Sequence, residues 1–108
     1  MIMNIHAILE NSQGFQWDKG NSLKSWLKHH VSEREAEEIF LNEPLLLAID
    51  EKHSQQESRF RAMGYTDKKR YLYIVFMLRE NLIRVISARD MNKKERVVYE
   101  EFKANTKI

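Results

Sequence analysis

The chain has no cysteine, a single proline and only three glycines among its 108 residues. Without cysteine, neither a disulfide framework nor a cysteine-based zinc site can form. The longest apolar run, residues 71–78, is far shorter than the roughly 20 residues of a membrane-spanning helix. Residues 1–9 are apolar but lack the basic start and the cleavage site of a signal peptide. We therefore expect a cytoplasmic protein that does not enter a membrane.

The composition is that of a folded protein, with 43% hydrophobic and 31% charged residues. A chain of this length predicts one domain with one core, spanning residues 1–108. The net charge of +2 conceals an asymmetry. Residues 1–58 carry five Lys/Arg and ten Asp/Glu, whereas residues 59–108 carry thirteen and six. The basic second half suits a polyanionic partner such as nucleic acid.

The first half predicts a helical hairpin. Asp18 or Asn21 suits the N-cap of a first helix, in which Leu23, Trp26, Leu27 and His30 recur at the spacing of one helical face. Ser32 and Glu35 form the pattern of a capping box at the start of a second helix. The predicted buried residues of these helices are Ala36, Ile39 and Phe40, together with both tryptophans, Trp17 and Trp26.

The second half predicts strands joined by short turns, which implies antiparallel pairing. The predicted strands span residues 45–50, 59–63, 71–78 and 82–89, and the run 71–78, apolar on both faces, suits a central strand. Residues 2–9 could add a first strand. Asn92 can cap a last helix with Glu95, Val98 and Phe102 along one side. The expected fold class is α+β: an antiparallel sheet of four or five strands with an N-terminal helical hairpin and a C-terminal helix.

The second half also concentrates arginines on or beside the predicted strands. Arginine presents planar, permanently charged donors that match phosphate, and histidine can move a proton near neutral pH. Metal-free RNA cleavage needs a deprotonated 2′-OH, a protonated leaving oxygen and a stabilised phosphorane. The predicted catalytic residues are His53, Glu57, Arg59, Arg84 and Arg89, and the predicted RNA-binding residues are Arg61, Tyr71, Tyr73, Lys93 and Arg96. No histidines or carboxylates stand at metal-ligand spacing, so no metal or other cofactor is expected.

Several of these residues also have structural interpretations. His53 is equally a polar loop histidine, and Glu57 could simply pair with Arg59 or Arg89. Arg89 could be a structural ion-pair residue at the end of a strand.

Strict alternation along the last predicted strand puts Arg84 on one face with Ile86 and Ala88. That face is either the open surface of the sheet, which we favour, or the edge of the core. Lys93 and Arg96 are mainly expected to be solvated helix charges, with contact to a protein partner or to RNA as the alternative.

An ordered set of segments resembles the BrnT toxin family. The segments are Phe15-Gln16-Trp17-Asp18, Lys28-His29 before Val31-Ser32, Asn42-Glu43-Pro44, Glu51-Lys52-His53-Ser54 with Glu57 and Arg59, Ile86-Ser87-Ala88-Arg89-Asp90-Met91, and Glu95-Arg96 with Tyr99. The resemblance covers residues 15–103, and residues 1–14 form a leader or first strand. His30 departs from the family pattern, which tends to have glycine after the Lys-His pair, and this concerns the geometry of the helix end.

The resemblance implies a RelE-like fold and the toxin of a bacterial type II toxin–antitoxin system, an RNA-cleaving hydrolase that inhibits translation. It also implies a BrnA-type antitoxin with a ribbon-helix-helix domain, which covers the basic sheet face. Operator DNA would then be contacted only through the antitoxin. The alternative function is a non-catalytic protein-binding module that acts with its antitoxin in operator repression. Convergence of His53 and the arginines on one concave surface would favour cleavage.

Overall fold

The computed structural model describes residues 9–10, 12–50, 52 and 58–106. The elements in chain order are α1 (Lys19–His29), α2 (Glu33–Ile39), β1 (Leu46–Ile49), β2 (Arg59–Tyr65), β3 (Tyr71–Arg79), β4 (Leu82–Asp90) and α3 (Lys93–Asn105). The strands form one antiparallel sheet in the order β1-β2-β3-β4. The α+β class is therefore confirmed, with β3 in the interior of the sheet. Of the strand predicted over residues 2–9, only Leu9 is described, and it is helical.

Helices α1, α2 and α3 each begin at a capping box. The pairs are Asp18 with Asn21, Ser32 with Glu35, and Asn92 with Glu95. In each pair the first side chain accepts the backbone N–H of the second residue, and the second side chain accepts that of the first. All three predicted helix starts are confirmed.

The core lies between α2 and one face of the sheet, which we call the inner face. Ala36 and Ile39 of α2 are buried there, as predicted. The ring of Phe76 lies 5.2 Å from that of Phe40 and 5.4 Å from that of Phe60. Alternate residues of β2, β3 and β4 complete this face, as expected for a sheet that is covered on one side. Phe40 packs against the same core from the end of α2.

The first helix does not bury its apolar stripe. Its buried residues are Asn21 and Ser25, whereas Trp26 is 48% and Leu27 is 71% exposed. The prediction that Trp26 lies in the core is therefore wrong. Trp17 does pack against the core, and its indole N–H donates to Glu37 Oε2 at 2.7 Å.

The apolar residues of α1 face outward because this helix lies along β4, where the backbone groups of the strand need hydrogen-bond partners. Asn21 Nδ2 donates to the carbonyl of Val85 at 3.0 Å, and the Ser25 hydroxyl accepts the N–H of Ala88 at 3.1 Å. Residues 13–16 cover the start of the same edge through backbone hydrogen bonds to residues 81 and 83. Polar side chains are thus what this contact requires.

A β-bulge interrupts the alternation of β4. Val75 pairs with Ser87, but the next residue, Phe76, pairs with Val85, so Ile86 is the additional residue. Ala88 is consequently buried with the core, while Arg84 is not. The expectation that Arg84 shares a face with Ala88 is wrong because strict alternation does not continue through a bulge.

The C-terminal helix packs through Tyr99, which is fully buried and donates its hydroxyl to the carbonyl of Pro44 at 2.7 Å. Val98, which was predicted on one side of this helix with Glu95 and Phe102, is exposed. Burial raises the pKa of the Tyr99 phenol well above its ordinary value. No helix among residues 9–10, 12–50, 52 and 58–106 is long and apolar enough to cross a bilayer.

Candidate functional site

The sheet face opposite α2 carries four arginines from two strands. We call this surface the cationic face and define it by Arg59, Arg61, Tyr73, Arg84 and Arg89. Arg59 of β2 and Arg84 of β4 both pair with Met77 of the strand between them. Since strands lie about 4.8 Å apart, the backbones of these two arginines are separated by roughly 10 Å.

The bulge in β4 decides that Arg84 and Arg89 belong to one face. They are five positions apart in the sequence, and strict alternation would put them on opposite sides of the sheet. The additional residue at Ile86 restores the phase, so Arg84 pairs with Met77 and Arg89 with Tyr73. Bulges commonly redirect a side chain near a functional site.

Arg89 is held by three acceptors. Its Nη1 and Nη2 donate to the two carboxylate oxygens of Glu95 at 2.7 and 2.9 Å, and Nη1 also donates to the carbonyl of Asp90 at 3.1 Å. Its guanidinium carbon lies 4.3 Å from the centre of the Tyr73 ring. An arginine has five N–H donors. Within the described part of the chain, the Nε–H and one Nη2–H of Arg89 therefore have no acceptor.

Those two donors form one side of the guanidinium fork. A pair of parallel N–H groups is the arrangement that binds two oxygens of a phosphate. Arg89 is thus fixed in position by Glu95 and Tyr73 and keeps a phosphate-binding edge. Arg89 does form the ion pair that the structural interpretation predicted. The ion pair uses only some of its N–H donors, so it does not prevent the side chain from binding phosphate.

Glu95 takes part both in the capping box of α3 and in the ion pair with Arg89. It is the third helical residue of α3, where one of its oxygens also accepts the backbone N–H of Asn92 at 2.9 Å. Hydrogen bonding to Arg89 is the main cause of a pKa below the ordinary value for Glu95, and the charge of Arg61 acts in the same direction. The carboxylate therefore stays ionised and links the start of α3 to the cationic face. The sequence motif Asn92-x-x-Glu95 indicates the cap, but nothing local indicates the bond to Arg89.

Arg84 reaches across the edge of the sheet. Its Nη1 lies 2.9 Å from Asp18 Oδ2 and 3.4 Å from Gln16 Oε1. The hydrogen bond from Arg84 is the main cause of a lowered pKa for Asp18. The N-cap of α1 therefore also orients Arg84. With 19% of its side chain exposed, Arg84 lies at a partly covered margin of the cationic face rather than on its open part.

The open part of the face contains Arg61 and a shallow cleft. The cleft has a volume of about 210 Å³ and is lined by Leu46, Ala48, Arg61, Met63, Tyr73 and Val98. Arg61 is exposed, and Arg59 beside it is partly buried. The exposed Val98 of α3 forms one wall, so the C-terminal helix makes this face concave.

The predicted tyrosines are already stacked against cations. The Arg96 guanidinium carbon lies 4.1 Å from the centre of the Tyr71 ring, much as Arg89 covers Tyr73. Tyr71 also meets the buried Tyr99 edge to face at 5.6 Å. A base would therefore meet the outer plane of a guanidinium, which is also a stacking surface. Lys93 is exposed at the start of α3.

Of the ten predicted site residues, His53 and Glu57 lie outside the described residues. The cationic face brings together Arg59, Arg61, Tyr73, Arg84 and Arg89, while Tyr71 and Arg96 adjoin it at α3. No group of three or more potential metal-ligating His, Cys, Asp or Glu side chains occurs within the described part of the chain.

Arg70, directly before β3, fastens several segments of the chain together. Arg70 uses all five of its N–H donors, on both oxygens of Asp90 (2.7 and 3.0 Å), on Glu35 (3.1 Å), and on the carbonyls of His29 and His30 (2.9 Å each). These bonds tie the end of α1 and the start of α2 to the end of β4. No sequence signal connects residues so far apart in the chain.

The fold and the cationic face together define an α+β protein suited to a polyanion. A family model described as ribonuclease toxin, BrnT, of type II toxin–antitoxin systems matches residues 17–95. The match spans 79 of the 108 residues. The chain therefore belongs to the BrnT family of ribonuclease toxins, whose type II systems pair each toxin with an antitoxin. A comparison with individual curated proteins gives no match.

Proposed function

We propose that this toxin cleaves RNA on the cationic face without a metal ion, and that it thereby inhibits translation. The observation that carries the proposal is the convergence of Arg59, Arg84 and Arg89 on one side of the sheet, with a phosphate-binding edge left on Arg89. Fixed cationic donors stabilise the additional negative charge of a phosphorane, and such preorganised electrostatics is usually the largest catalytic contribution.

Proton transfer in this proposal belongs to His53 and Glu57. The 2′-OH must lose a proton and the 5′-oxygen must gain one, and a histidine near its ordinary pKa can do either. Both residues precede β2, whose first residue is Arg59. Support for this assignment comes from the chain connection to Arg59 and from the residue types, since the two residues lie outside the described part of the chain.

We assign Glu95 as the positioning residue for Arg89. Its bidentate ion pair fixes the guanidinium against Tyr73, and its place in the capping box fixes the carboxylate in turn. A preorganised donor needs no rearrangement when charge develops in the transition state. Arg61, Tyr71, Tyr73, Lys93 and Arg96 then bind the rest of the RNA strand by charge and stacking.

The proposed partner is a BrnA-type antitoxin with a ribbon-helix-helix domain, and operator DNA is contacted only through it. The competing function is a non-catalytic module that acts solely with its antitoxin in repression. Its support is the partial engagement of the arginines, since Arg84 and Arg89 both hold carboxylates.

The deciding experiment compares the wild-type chain with His53→Ala, Arg59→Ala and Arg89→Ala. Induced expression should arrest growth, and the purified chain should cleave RNA in excess EDTA. Each folded variant should lose cleavage, while Lys68→Ala, which removes an exposed cation of the β2–β3 turn, should not. If the RNA stays intact with the folded wild-type chain, the proposal of ribonuclease activity is wrong and the non-catalytic binding function is the better account.

The role of Glu95 has its own pair of variants. Glutamine also completes a capping box, so Glu95→Gln should keep the helix start but weaken the ion pair. We expect kcat to fall about tenfold, with a stability loss below about 1 kcal/mol. Asn92→Ala should do the reverse, with a stability loss of about 1 kcal/mol and little change in kcat. If Glu95→Gln keeps the wild-type kcat, Glu95 acts only as part of the helix cap and does not position Arg89 for catalysis.

A further inference from the structure

The outward face of α1 carries an apolar stripe that the described residues of the chain leave exposed. Leu23 and Trp26 are each 48% exposed, and Leu27 is 71% exposed. Residues three and four apart are neighbours on a helix, so these side chains form one patch. The ring of His30 extends the patch, since it lies 5.3 Å from that of Trp26. We call this patch the α1 stripe.

Its orientation follows from the contact between α1 and β4. Asn21 and Ser25 must face the strand, because their side chains satisfy its backbone groups. At 100° per residue, Leu23, Trp26 and Leu27 then point to the opposite side of the helix. A rotation that buried the stripe would leave Val85 and Ala88 with unpaired backbone groups in the core region, so the stripe cannot turn inward.

An exposed tryptophan and two leucines side by side are the composition of a protein interface. Contiguous apolar patches on a monomer mark interaction sites, and tryptophan is enriched among the residues that dominate binding energy. The stripe differs from the cationic face in that its central side chains are uncharged, although the N-cap of the same helix, Asp18, contacts Arg84 of that face.

The charges beside the stripe identify the chemistry of its partner. Lys19 lies on the stripe one turn before Leu23, Lys24 flanks it, and both are exposed. The stripe itself contains no acidic residue. A partner that fits would present apolar side chains bordered by carboxylates. On the other side of α1 the carboxylate of Glu33 accepts a hydrogen bond from the Ser22 hydroxyl at 2.6 Å, so the border of the stripe is basic only on the side of Lys19 and Lys24. A second copy of this chain would meet mainly the uncharged stripe and these lysines, which favours a partner that brings its own carboxylates.

We propose that the α1 stripe is a docking surface for the antitoxin, occupied by an amphipathic segment with acidic flanks. This inference rests on the antitoxin partnership of the proposed function. It adds a second contact region to the one expected over the cationic face. An antitoxin held at α1 would bind the toxin without competing with RNA for the arginines, and its remaining chain could then cover the cationic face.

The test uses Leu27→Glu with Leu41→Glu as its matched control. Leu41 is 79% exposed and lies outside α1, so both variants add one carboxylate at an exposed leucine. Binding of the purified chains to the cognate antitoxin would be measured by calorimetry. Leu27→Glu should weaken binding at least about tenfold, as at an interface hot spot, and Leu41→Glu should stay within about twofold of the wild type. Lys24→Glu should slow association at low salt.

Three results would overturn the proposal. The first is wild-type antitoxin affinity in Leu27→Glu. The second is loss of RNA binding or cleavage in that variant, which would assign the stripe to the substrate. The third is a wild-type dimer in solution that Leu27→Glu dissociates. Because calorimetry with the antitoxin does not require ribonuclease activity, an inactive wild type would sink the proposed function and still leave the stripe testable.

Discussion

Arg70 and Arg89 are both partly buried arginines that bind carboxylates, but they differ in how many of their N–H donors remain available for a ligand. All five N–H donors of Arg70 have acceptors, in three separate segments of the chain. Arg89 donates three hydrogen bonds to Glu95 and Asp90 within the described residues, and one edge of its fork stays open. Saturation indicates a structural arginine, and an open edge held rigidly indicates one that can bind phosphate.

The largest expected effect is a loss of RNA cleavage when Arg89 is removed. Arg89→Ala should lower the rate of RNA cleavage about 10²–10³-fold, the usual result of removing one preorganised donor. Its cost in unfolding free energy should be only about 1 kcal/mol, since the ion pair with Glu95 is partly exposed. Single-turnover cleavage and urea unfolding measure the two quantities. A large loss of stability with unchanged cleavage would make Arg89 structural.

The next effect concerns stability and its dependence on pH. Hydrogen bonding to Arg70 is the main cause of a pKa below the ordinary value for Asp90. Burial would raise the pKa of Glu35, but its bonds to Ser32 and Arg70 outweigh burial and lower it. Both carboxylates therefore contribute stability that is present above about pH 4 and lost as pH falls through their folded-state pKa values.

Arg70→Met should remove about 2 kcal/mol of stability at neutral pH, and it should flatten the acid limb of the stability curve. Cleavage activity should change little below the melting temperature. Unfolding free energies between about pH 2 and 7 provide the measurement. If the unfolding free energy of the variant falls as steeply with acid as that of the wild type, Arg70 does not set those pKa values.

The smallest effect tests the end of the helix that Arg70 fastens. His30 has a φ of 54°, in the left-handed region, which is strained for a residue with a Cβ. His30→Gly should therefore stabilise the protein by about 0.5–1 kcal/mol. Lys28→Gly, at the penultimate position of the same helix, should destabilise it by up to about 1 kcal/mol. A destabilised His30→Gly would mean that packing of the His30 ring on Trp26 outweighs the strain.

Local sequence patterns predicted the elements well because their causes are local. The capping boxes at Ser32 and Asn92, the alternation of β2 and the apolar run of β3 each act within a few residues. The resemblance likewise identified the family, and the departure at His30 falls on the residue with left-handed backbone geometry, where glycine is the favoured residue. The arginines themselves were predicted by residue type and strand position, but strict alternation did not predict that Arg84 and Arg89 share one face.

Two expectations failed for non-local reasons. Trp26 of the α1 stripe was expected in the core, but the edge strand β4 needed polar partners from Asn21 and Ser25, and these residues occupy the packed side of the helix. Arg84 was expected beside Ala88 because alternation is the rule in strands, and the bulge at Ile86 changed the phase. Neither an edge contact nor a bulge has a signal in the residues on which it acts.

The sequence by itself determined where the helices and strands begin, the family, and the presence of phosphate-binding side chains in the second half. Those properties follow from side-chain chemistry and from hydrogen bonds between near neighbours. Only the tertiary structure decided which arginine is saturated and which keeps an open edge, and which side of α1 is left for a partner. Both depend on acceptors supplied by residues distant in the chain, such as Glu35 for Arg70 and Val85 for Asn21, and no local pattern encodes that distance.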